Sequence, residues 1–261
     1  AGKHYLHKQN AIEGVPENEI IECAVQSLGL NDLESFNPHK KIIEYAISKE
    51  KNKLVNLPVR EFLDEVSSKS PAPGGGSVSA LLGSNGASLC SMVASLTYYK
   101  KDFFDLRQKM NDFSKKAQLI KDELIILIDE DTNAFNAILN ANRLPAKDKA
   151  EHAIKEKAIK KANELAFETP YRIACLCSEV VSLCVDLSIN GNPNSISDVG
   201  VAVESAYAGF KGASMNVLIN MPSIENKKLR NRISDDLKIK KDDIEKSCIA
   251  AINEINKVLD S

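Results

Sequence analysis

Residues 104–142, FDLRQKMNDFSKKAQLIKDELIILIDEDTNAFNAILNAN, decide the fold. Apolar side chains recur in this stretch at alternating steps of three and four residues, a spacing that places them on one face of an α-helix. They are Leu106, Met110, Phe113, Ala117, Ile120, Leu124, Leu127, Ala134 and Ile138. The next step after Leu127 falls on Asp131, where a carboxylate is costly unless it is paired or hydrogen-bonded. The stretch therefore predicts one long amphipathic helix that carries an unusual acid.

The flanking segments repeat the helical pattern. Residues 171–190 carry a second apolar seam, while residues 148–168 and 224–259 are amphipathic with lysine-rich polar faces. The prolines after Pro73, among them Pro170, separate these segments, because a helix interior rarely tolerates proline. No strand with period-two alternation is apparent in this region. The predicted fold class is all-α: a multihelical up-and-down bundle of five or more long helices with a short helical N-terminal extension.

The first fifty residues are organised differently. Short helices are expected after Pro16 and after Pro38, followed by a charged stretch at 48–53 that is interpreted as a linker. Such a segment makes a poor hydrophobic core by itself, so it is expected to pack on another unit. We predict two units, an N-terminal segment at 1–50 and a helical-bundle domain at 51–261.

Composition narrows the classes of function. The 261 residues are 43% hydrophobic and 27% charged, with a formal net charge of −2, which gives no basic footprint for nucleic acid. The six cysteines lack disulfide or zinc spacing and are interpreted as small buried side chains in a reducing compartment. No His, Cys and Asp group has metal-ligand spacing, so no catalytic metal is expected. Neither a signal peptide nor an apolar run long enough to cross a bilayer is apparent, so we expect a soluble, cytoplasmic protein with no membrane partner.

A glycine-rich turn, SPAPGGGS at 70–77, precedes a helix rich in small residues. Three consecutive glycines let backbone N–H groups approach a ligand, and a helix N-terminus attracts anions. The alternative is a turn that lets two helix ends pack closely. The serines of the following helix favour tight packing against a partner helix. Candidate substrate-binding residues in this turn are Gly74, Gly75, Gly76 and Ser77.

The segment NGNPNSISDVG at 190–200 opens another unusual helix. Ser195 and Asp198 have the spacing of a capping box, so Asp198 can simply close a helix start. Beyond it runs a stripe of small and polar residues that ends in two asparagines one turn apart. Buried amides need hydrogen-bond partners, which either a heterocyclic ligand or a structural polar layer supplies. The candidate binding residues from this region are Asn192, Asn194, Ser195, Asn216 and Asn220.

Four stretches in this order resemble the cyclodeaminase domain of the formiminotransferase-cyclodeaminase family, and together they cover about residues 58–258. They are PAPGGGSVSA at 71–80, DTNAF at 131–135, GNPNSISDVGVA at 191–202 and GASMNVLIN at 212–220. Residues 1–47 resemble the end of the formiminotransferase domain and its linker. The chain is therefore expected to be a C-terminal piece of a bifunctional enzyme, with the transferase domain upstream.

The resemblance implies a helical homodimer or higher oligomer that binds folate in a groove near the subunit interface. The implied substrate is a tetrahydrofolate derivative, which can be polyglutamylated, and no prosthetic group is implied. The implied reaction converts 5-formimino-tetrahydrofolate to 5,10-methenyl-tetrahydrofolate and ammonia in histidine degradation. Asp198 is the first candidate for moving the protons and Asp131 the second, while Asn194, Ser195, Asn216 and Asn220 are expected to orient the folate.

The sequence is also compatible with two alternative functions. The first is a methenyltetrahydrofolate cyclohydrolase that acts in the same kind of site. The second is a non-catalytic helical module that dimerises or binds folate. The transferase-like residues 1–47 favour the cyclodeaminase over the cyclohydrolase.

Overall fold

The computed structural model describes residues 1–32, 34–47 and 53–260, and its regular elements in this part of the chain are all helical. The N-terminal helices are short: α1 (Gly2–Lys8), α2 (Glu17–Ser27), α3 (Pro38–Lys41), α4 (Ile43–Ile47) and α5 (Val59–Val66). The bundle consists of five long helices: α6 (Gly75–Tyr98), α7 (Arg107–Arg143), α8 (Lys149–Asn190), α9 (Ile196–Asn220) and α10 (Lys227–Leu259). Single turns of 3₁₀ helix lie at Leu54–Asn56, Pro193–Ser195 and Met221–Ser223, and a longer one at Lys101–Leu106. The predicted all-α class with a short helical N-terminal extension is confirmed.

The long helices run alternately up and down. Near the start of α6, Ser77 contacts Asp131 late in α7, whereas Ser91 further along α6 contacts Ser114 early in α7. Helix α9 is also antiparallel to α6, because Gly86 faces Ala202 at the start of α9 and Gly75 faces its C-terminal turn. Helix α6 thus lies between two antiparallel neighbours.

The apolar seam predicted on α7 lies in the core. Met110, Leu124 and Leu127 on this helix have no exposed surface. Burial of each such side chain stabilises the fold by roughly 1.5–3 kcal/mol. The seam of α8 is equally buried at Ile173 and Val180. These two helices supply many of the largest buried apolar side chains, and α6 packs its small residues against them.

One boundary prediction is wrong: Pro170 does not end a helix. Helix α8 continues through it from Lys149 to Asn190. Proline lacks the N–H that would bond the carbonyl four residues earlier, which belongs to Ala166. The side-chain amide of Asn220 on α9 donates to this carbonyl oxygen at 2.8 Å. A side chain from a neighbouring helix therefore supplies the hydrogen bond that the proline removes.

The expectation that no apolar stretch is long enough to cross a bilayer also needs correction. Helix α8 contains an 18-residue stretch with a mean hydropathy of 1.6, which is long and apolar enough to cross a membrane by length and composition alone. Half of this stretch is buried inside the bundle. A helix that packs against several neighbours is apolar on more than one face, so the position of α8 in the bundle accounts for the hydropathy.

The N-terminal segment lies against the bundle, in keeping with its small size. The Glu13 backbone N–H donates to the Asn111 side chain on α7 at 2.8 Å, and the Tyr98 hydroxyl on α6 donates to the carbonyl oxygen of Asn10 at 3.0 Å. Helix α1 was not expected from the sequence. The proposed linker at 48–53 lies outside the described residues except for Lys53, so the boundary near residue 50 stays a prediction.

The cysteines follow the prediction in most cases. All six carry free thiols. Cys90, Cys177, Cys184 and Cys248 are buried, as expected for small apolar side chains, while the other two are half-buried.

The substitution Asn220→Leu should destabilise the protein by about 1–3 kcal/mol, because it leaves the Ala166 carbonyl without a partner. In a Pro170→Ala background the new backbone N–H can bond this carbonyl, so the same substitution should cost less. Urea unfolding of both single variants and the double variant measures this coupling. Asn140→Leu, at an exposed asparagine of α7, is the control. Equal costs of Asn220→Leu in both backgrounds would contradict the assignment.

Candidate functional site

The carboxylate of Asp131 lies against the N-terminus of α6. The Ser77 backbone N–H donates to Oδ2 of Asp131 at 3.0 Å, and the Ser77 hydroxyl oxygen lies 3.3 Å from the same atom. The first N–H groups of a helix have no partner within the helix and carry partial positive charge, so they favour an anion. This contact explains how the apolar face of α7 accommodates an acid.

Gly76 is what allows the carboxylate to come so close. An ideal Cβ at Gly76 would lie 2.0 Å from Oδ1 of Asp131, far inside any allowed contact. Gly74 has an extended backbone and precedes the first helical residue, Gly75, which is exposed. The glycine-rich turn thus places bare backbone beside Asp131, and this end of α6 opens to the surface.

Burial and hydrogen bonding act on Asp131 in opposite directions. Burial raises the pKa of Asp131, and the two hydrogen bonds from Ser77 lower it. The effect of burial is larger, so the pKa lies above the ordinary value of an aspartate. A carboxyl group with a raised pKa both accepts and donates protons more readily near neutral pH.

The predicted asparagines of α9 reach the same end of the bundle. The Asn216 side-chain nitrogen lies 3.4 Å from the position of an ideal Cβ at Gly75, and it donates to the Gly212 carbonyl oxygen at 2.9 Å. Asn220 lies one turn further along, where its amide is engaged by Ala166. The predicted glycine turn, Asp131 and Asn216 therefore form one cluster, which we call the Asp131 end.

The other predicted residues lie at the opposite end of α6. The Asn192 backbone N–H donates to the Thr97 hydroxyl at 2.9 Å, and the Asn192 side chain accepts from the Asn194 N–H at 3.1 Å. Thr97 and Ser77 are about 30 Å apart along α6, at roughly 1.5 Å per residue. We call the cluster formed by Asn192, Asn194, Ser195 and Asp198 the Asp198 end. Within one chain, the two predicted halves of the site therefore lie at opposite ends of α6.

The capping-box interpretation of Asp198 is wrong. Ser195 precedes α9 but makes no capping hydrogen bond with its side chain. Its backbone N–H donates to the Asn192 carbonyl oxygen at 2.9 Å instead, so it is not available to Asp198. Asp198 is half-buried, and within the described part of the chain its side chain makes no hydrogen bond or ion pair.

Sequence reasoning missed two hydroxyl side chains. Thr132 lies 3.2 Å from the Ser77 hydroxyl and joins the Asp131 end; its place directly after Asp131 was a usable signal. Thr97 holds the Asp198 end, but its sequence neighbourhood offers no motif. Among residues 1–32, 34–47 and 53–260, no three His, Cys, Asp or Glu side chains lie close enough together to hold a metal ion.

Gly76→Ala should destabilise the fold by about 1–3 kcal/mol, because its Cβ must displace the Asp131 carboxylate or the start of α6. Gly75→Ala is the matched control. Its Cβ would lie at an ordinary contact distance from Asn216, so its stability should stay within about 1 kcal/mol of the wild type. Urea unfolding distinguishes the two, and equal stabilities would contradict the close approach at Gly76.

Comparison with known proteins gives concordant matches. The family model for formiminotransferase-cyclodeaminase matches residues 58–238, and the model for the formiminotransferase domain matches residues 1–48. A methenyltetrahydrofolate cyclohydrolase of Methylorubrum extorquens is 36% identical over 172 residues, which is 66% of this chain and 83% of that protein. The formimidoyltransferase-cyclodeaminase of Gallus gallus is 32% identical over 236 residues, which is 90% of this chain but 43% of that protein. The chain thus spans under half the length of this bifunctional relative.

A solved structure supports the fold. The formiminotetrahydrofolate cyclodeaminase of Thermotoga maritima superposes with a TM-score of 0.71 at 24% sequence identity, covering 79% of this chain and all of that one. At that identity the likeness concerns the fold. The sequence match over residues 58–238 spans more than half of the chain, and on that ground the chain belongs to the formiminotransferase-cyclodeaminase family.

Proposed function

We propose that this chain is a formimidoyltetrahydrofolate cyclodeaminase, an ammonia-lyase that converts 5-formimino-tetrahydrofolate to 5,10-methenyl-tetrahydrofolate. The observation that carries the proposal is the half-buried Asp131 carboxyl group at the open N-terminus of α6, with a raised pKa. A proton-transfer group of this kind is what the reaction needs. We therefore place Asp131 ahead of Asp198 as the residue that moves the proton.

The chemistry requires one proton to change places. N10 of the folate attacks the carbon of the formimino group, whose nitrogen is protonated. This forms the C–N10 bond and leaves a proton on N10. The Asp131 carboxylate takes this proton and delivers it to the amino nitrogen, which departs as ammonia when the C–N bond breaks. The positive charge of the substrate remains on the methenyl product, so charge and atoms balance. Proton transfer by a positioned carboxylate contributes roughly 10²–10⁴-fold to the rate.

Binding the folate in a fixed position also accelerates the reaction. Fixing N10 against the formimino carbon makes the attack effectively unimolecular, which can contribute roughly 7–11 kcal/mol at the upper end. We propose that the backbone N–H groups of Gly74 and Gly75 and the side-chain amide of Asn216 bind the folate beside Asp131; their position at the start of α6 supports this. We propose no prosthetic group for this step. We further propose that the reaction belongs to histidine degradation in the cytoplasm. The free thiols of the chain fit the reducing environment of that compartment.

A methenyltetrahydrofolate cyclohydrolase is the second candidate function. The Methylorubrum extorquens relative that bears this name, at 36% identity, favours it. The match of residues 1–48 to a formiminotransferase domain favours the cyclodeaminase, because a transferase that makes formimino-tetrahydrofolate would supply its substrate. A non-catalytic folate-binding module is the third reading.

The deciding experiment follows ammonia and the near-ultraviolet absorbance of methenyl-tetrahydrofolate together, starting from 5-formimino-tetrahydrofolate. Release of both in step, above the uncatalysed rate, supports the cyclodeaminase. Faster loss of added methenyl-tetrahydrofolate without ammonia release supports the cyclohydrolase. Silence in both assays, with folate binding measured by calorimetry, supports the binding module.

Asp131→Asn should lower turnover by roughly 10²–10⁴-fold, because an amide cannot carry the proton. In the wild type kcat/KM should rise with pH through the raised pKa of Asp131, since the base is the ionised form, and the variant should lose this limb. The variant should be at least as stable as the wild type at pH 7 in urea, because the buried charge is gone. Asp198→Asn is the matched substitution. If Asp198→Asn loses turnover and Asp131→Asn keeps it, Asp198 is the proton carrier instead.

We further propose that two copies associate along α6 and α9, so that the Asp198 end of one chain meets the Asp131 end of its partner. Exposed apolar side chains on these helices support this contact: Leu96 is 46% exposed, Met215 67% and Ile219 76%. Both helices run the length between the two ends, and a two-fold axis across them would reverse one chain relative to the other. Such a dimer would bring the two halves of the predicted site together.

Mixing Asp131→Asn and Asp198→Asn chains tests the shared site. The test applies when each variant is inactive alone. In a mixed dimer one of the two sites then receives both intact carboxylates, so random mixing should restore about a quarter of wild-type activity. Size-exclusion chromatography with light scattering confirms that the chains exchange. No recovery in exchanged dimers of two inactive variants would contradict a site shared between chains.

A further inference from the structure

Residues 10–15, which we call the docking segment, lie in a groove between the C-terminal turn of α6 and the first half of α7. The segment is not helical. Asn10 begins it with a positive φ of 52°, and the Ala11 N–H donates to the Leu6 carbonyl oxygen at 2.9 Å, a pattern that ends a helix sharply. The chain thus leaves α1 and enters the groove without regular secondary structure.

Side chains of the bundle bind the backbone of the docking segment. The Tyr98 hydroxyl donates to the Asn10 carbonyl oxygen at 3.0 Å, and the Ile12 N–H donates to the Tyr99 hydroxyl at 3.2 Å. The Glu13 N–H donates to the Asn111 side chain at 2.8 Å. Backbone polar groups of Asn10, Ile12 and Glu13 are therefore hydrogen-bonded by side chains of the bundle.

Gly14 is held by two buried hydroxyls. Its carbonyl oxygen accepts hydrogen bonds from Ser91, at 3.2 Å, and from Ser114. Both serines are almost completely buried. An ideal Cβ at Gly14 would lie 2.3 Å from backbone atoms of Ser114 and Lys115, so the groove accepts only glycine there. Ser91 is one of the serines of α6, and the proposed reaction assigns these serines no role.

Packing and charge add to these contacts. Ile12 is 2% exposed, and the Glu13 carboxylate pairs with Lys115 at 2.8 Å. The hydrogen bond from Lys115 is the largest cause of a lowered pKa at Glu13. Burial of the Ile12 side chain would by itself hold the segment in the groove. It would not explain why side chains of the bundle also bind the backbone N–H groups of Ile12 and Glu13. The groove therefore binds the peptide backbone of the docking segment and not only an apolar side chain.

The same turn of α6 also holds the Asp198 end. Thr97 accepts the Asn192 N–H at 2.9 Å, and an ideal Cβ at Gly191 would lie 3.2 Å from Val93. Thr97 directly precedes Tyr98 and Tyr99, which bind the docking segment. One helical turn thus has the docking segment on one side and Gly191–Asn192 on the other.

We propose that this groove is an interdomain recognition site whose occupant is the docking segment of the formiminotransferase-type N-terminal region, and that docking positions the Asp198 end. The first part stands on the contacts alone. The second part, that docking affects turnover, rests on the proposed function. Tyr98, Tyr99 and Asn111 are positioning residues in this scheme, since they act through Thr97 and Asn192.

Amide hydrogen exchange on the whole 261-residue chain tests the proposal without requiring activity. Tyr98→Phe/Tyr99→Phe removes two hydroxyls and keeps both rings, and Asn111→Ala removes the acceptor of the Glu13 N–H. Both variants should exchange the amides of residues 12–14 roughly threefold to tenfold faster. The Asn192 and Asn194 amides should accelerate in parallel. Asn140→Ala, at an exposed asparagine of α7, is the control and should change neither region.

The outcomes separate the parts of the proposal. Unchanged exchange at residues 12–14 in both variants would overturn recognition by the groove. Faster exchange there without any change at Asn192 and Asn194 would overturn the coupling to the Asp198 end. In an active wild type, several-fold lower kcat in both variants with KM nearly unchanged supports positioning, and unchanged kcat overturns it. An inactive wild type with the expected exchange pattern would reject the proposed reaction and keep the docking site.

Discussion

Helix α6 approaches its neighbours so closely that several of its contact points have no room for a side chain. An ideal Cβ at Gly83 would lie 2.5 Å from the Cys177 sulfur, and one at Gly86 would lie 2.9 Å from the Ala202 carbonyl oxygen. Glycine inside a helix costs about 1 kcal/mol relative to alanine, so such residues persist where close packing offsets that cost. This close packing of α6 determines where its two ends contact α7 and α9. Both halves of the candidate site depend on this constraint.

A common physical pattern connects the polar residues of the bundle. Three of them bind a backbone group that has no partner within the helix or turn to which that group belongs. The Asp131 carboxylate accepts from the first turn of α6, Asn220 donates to the carbonyl freed by Pro170, and Thr97 accepts from the turn before α9. These contacts join one helix to the next at defined positions. They give an otherwise apolar bundle a fixed register, and at Asp131 they also leave a carboxyl group with a raised pKa beside an open helix end.

Several features were predictable because they depend on local periodicity. The three- and four-residue spacing on α7 located a long helix to within a few residues, since the side chains that alternate in this way must share a face. The misplaced Asp131 was visible for the same reason. Pro170 misled the prediction because the sequence cannot show that a distant asparagine replaces the missing hydrogen bond. Ser195 and Asp198 have capping spacing, yet the Asn192 carbonyl takes the N–H that a capping box would use.

The sequence by itself determined the helical class, the acid in the apolar seam and the family resemblance, because each is written in residue spacing within one segment. Only the tertiary structure decided which candidates share a site. It brings Gly76, Asp131 and Asn216 together and places Asp198 at the other end of α6, since antiparallel packing joins the start of one helix to the end of the next. It also decided that Asn220 supports a proline-containing helix and that Ser91 holds the docking segment. Those roles depend on contacts between residues more than fifty positions apart, which no local pattern encodes.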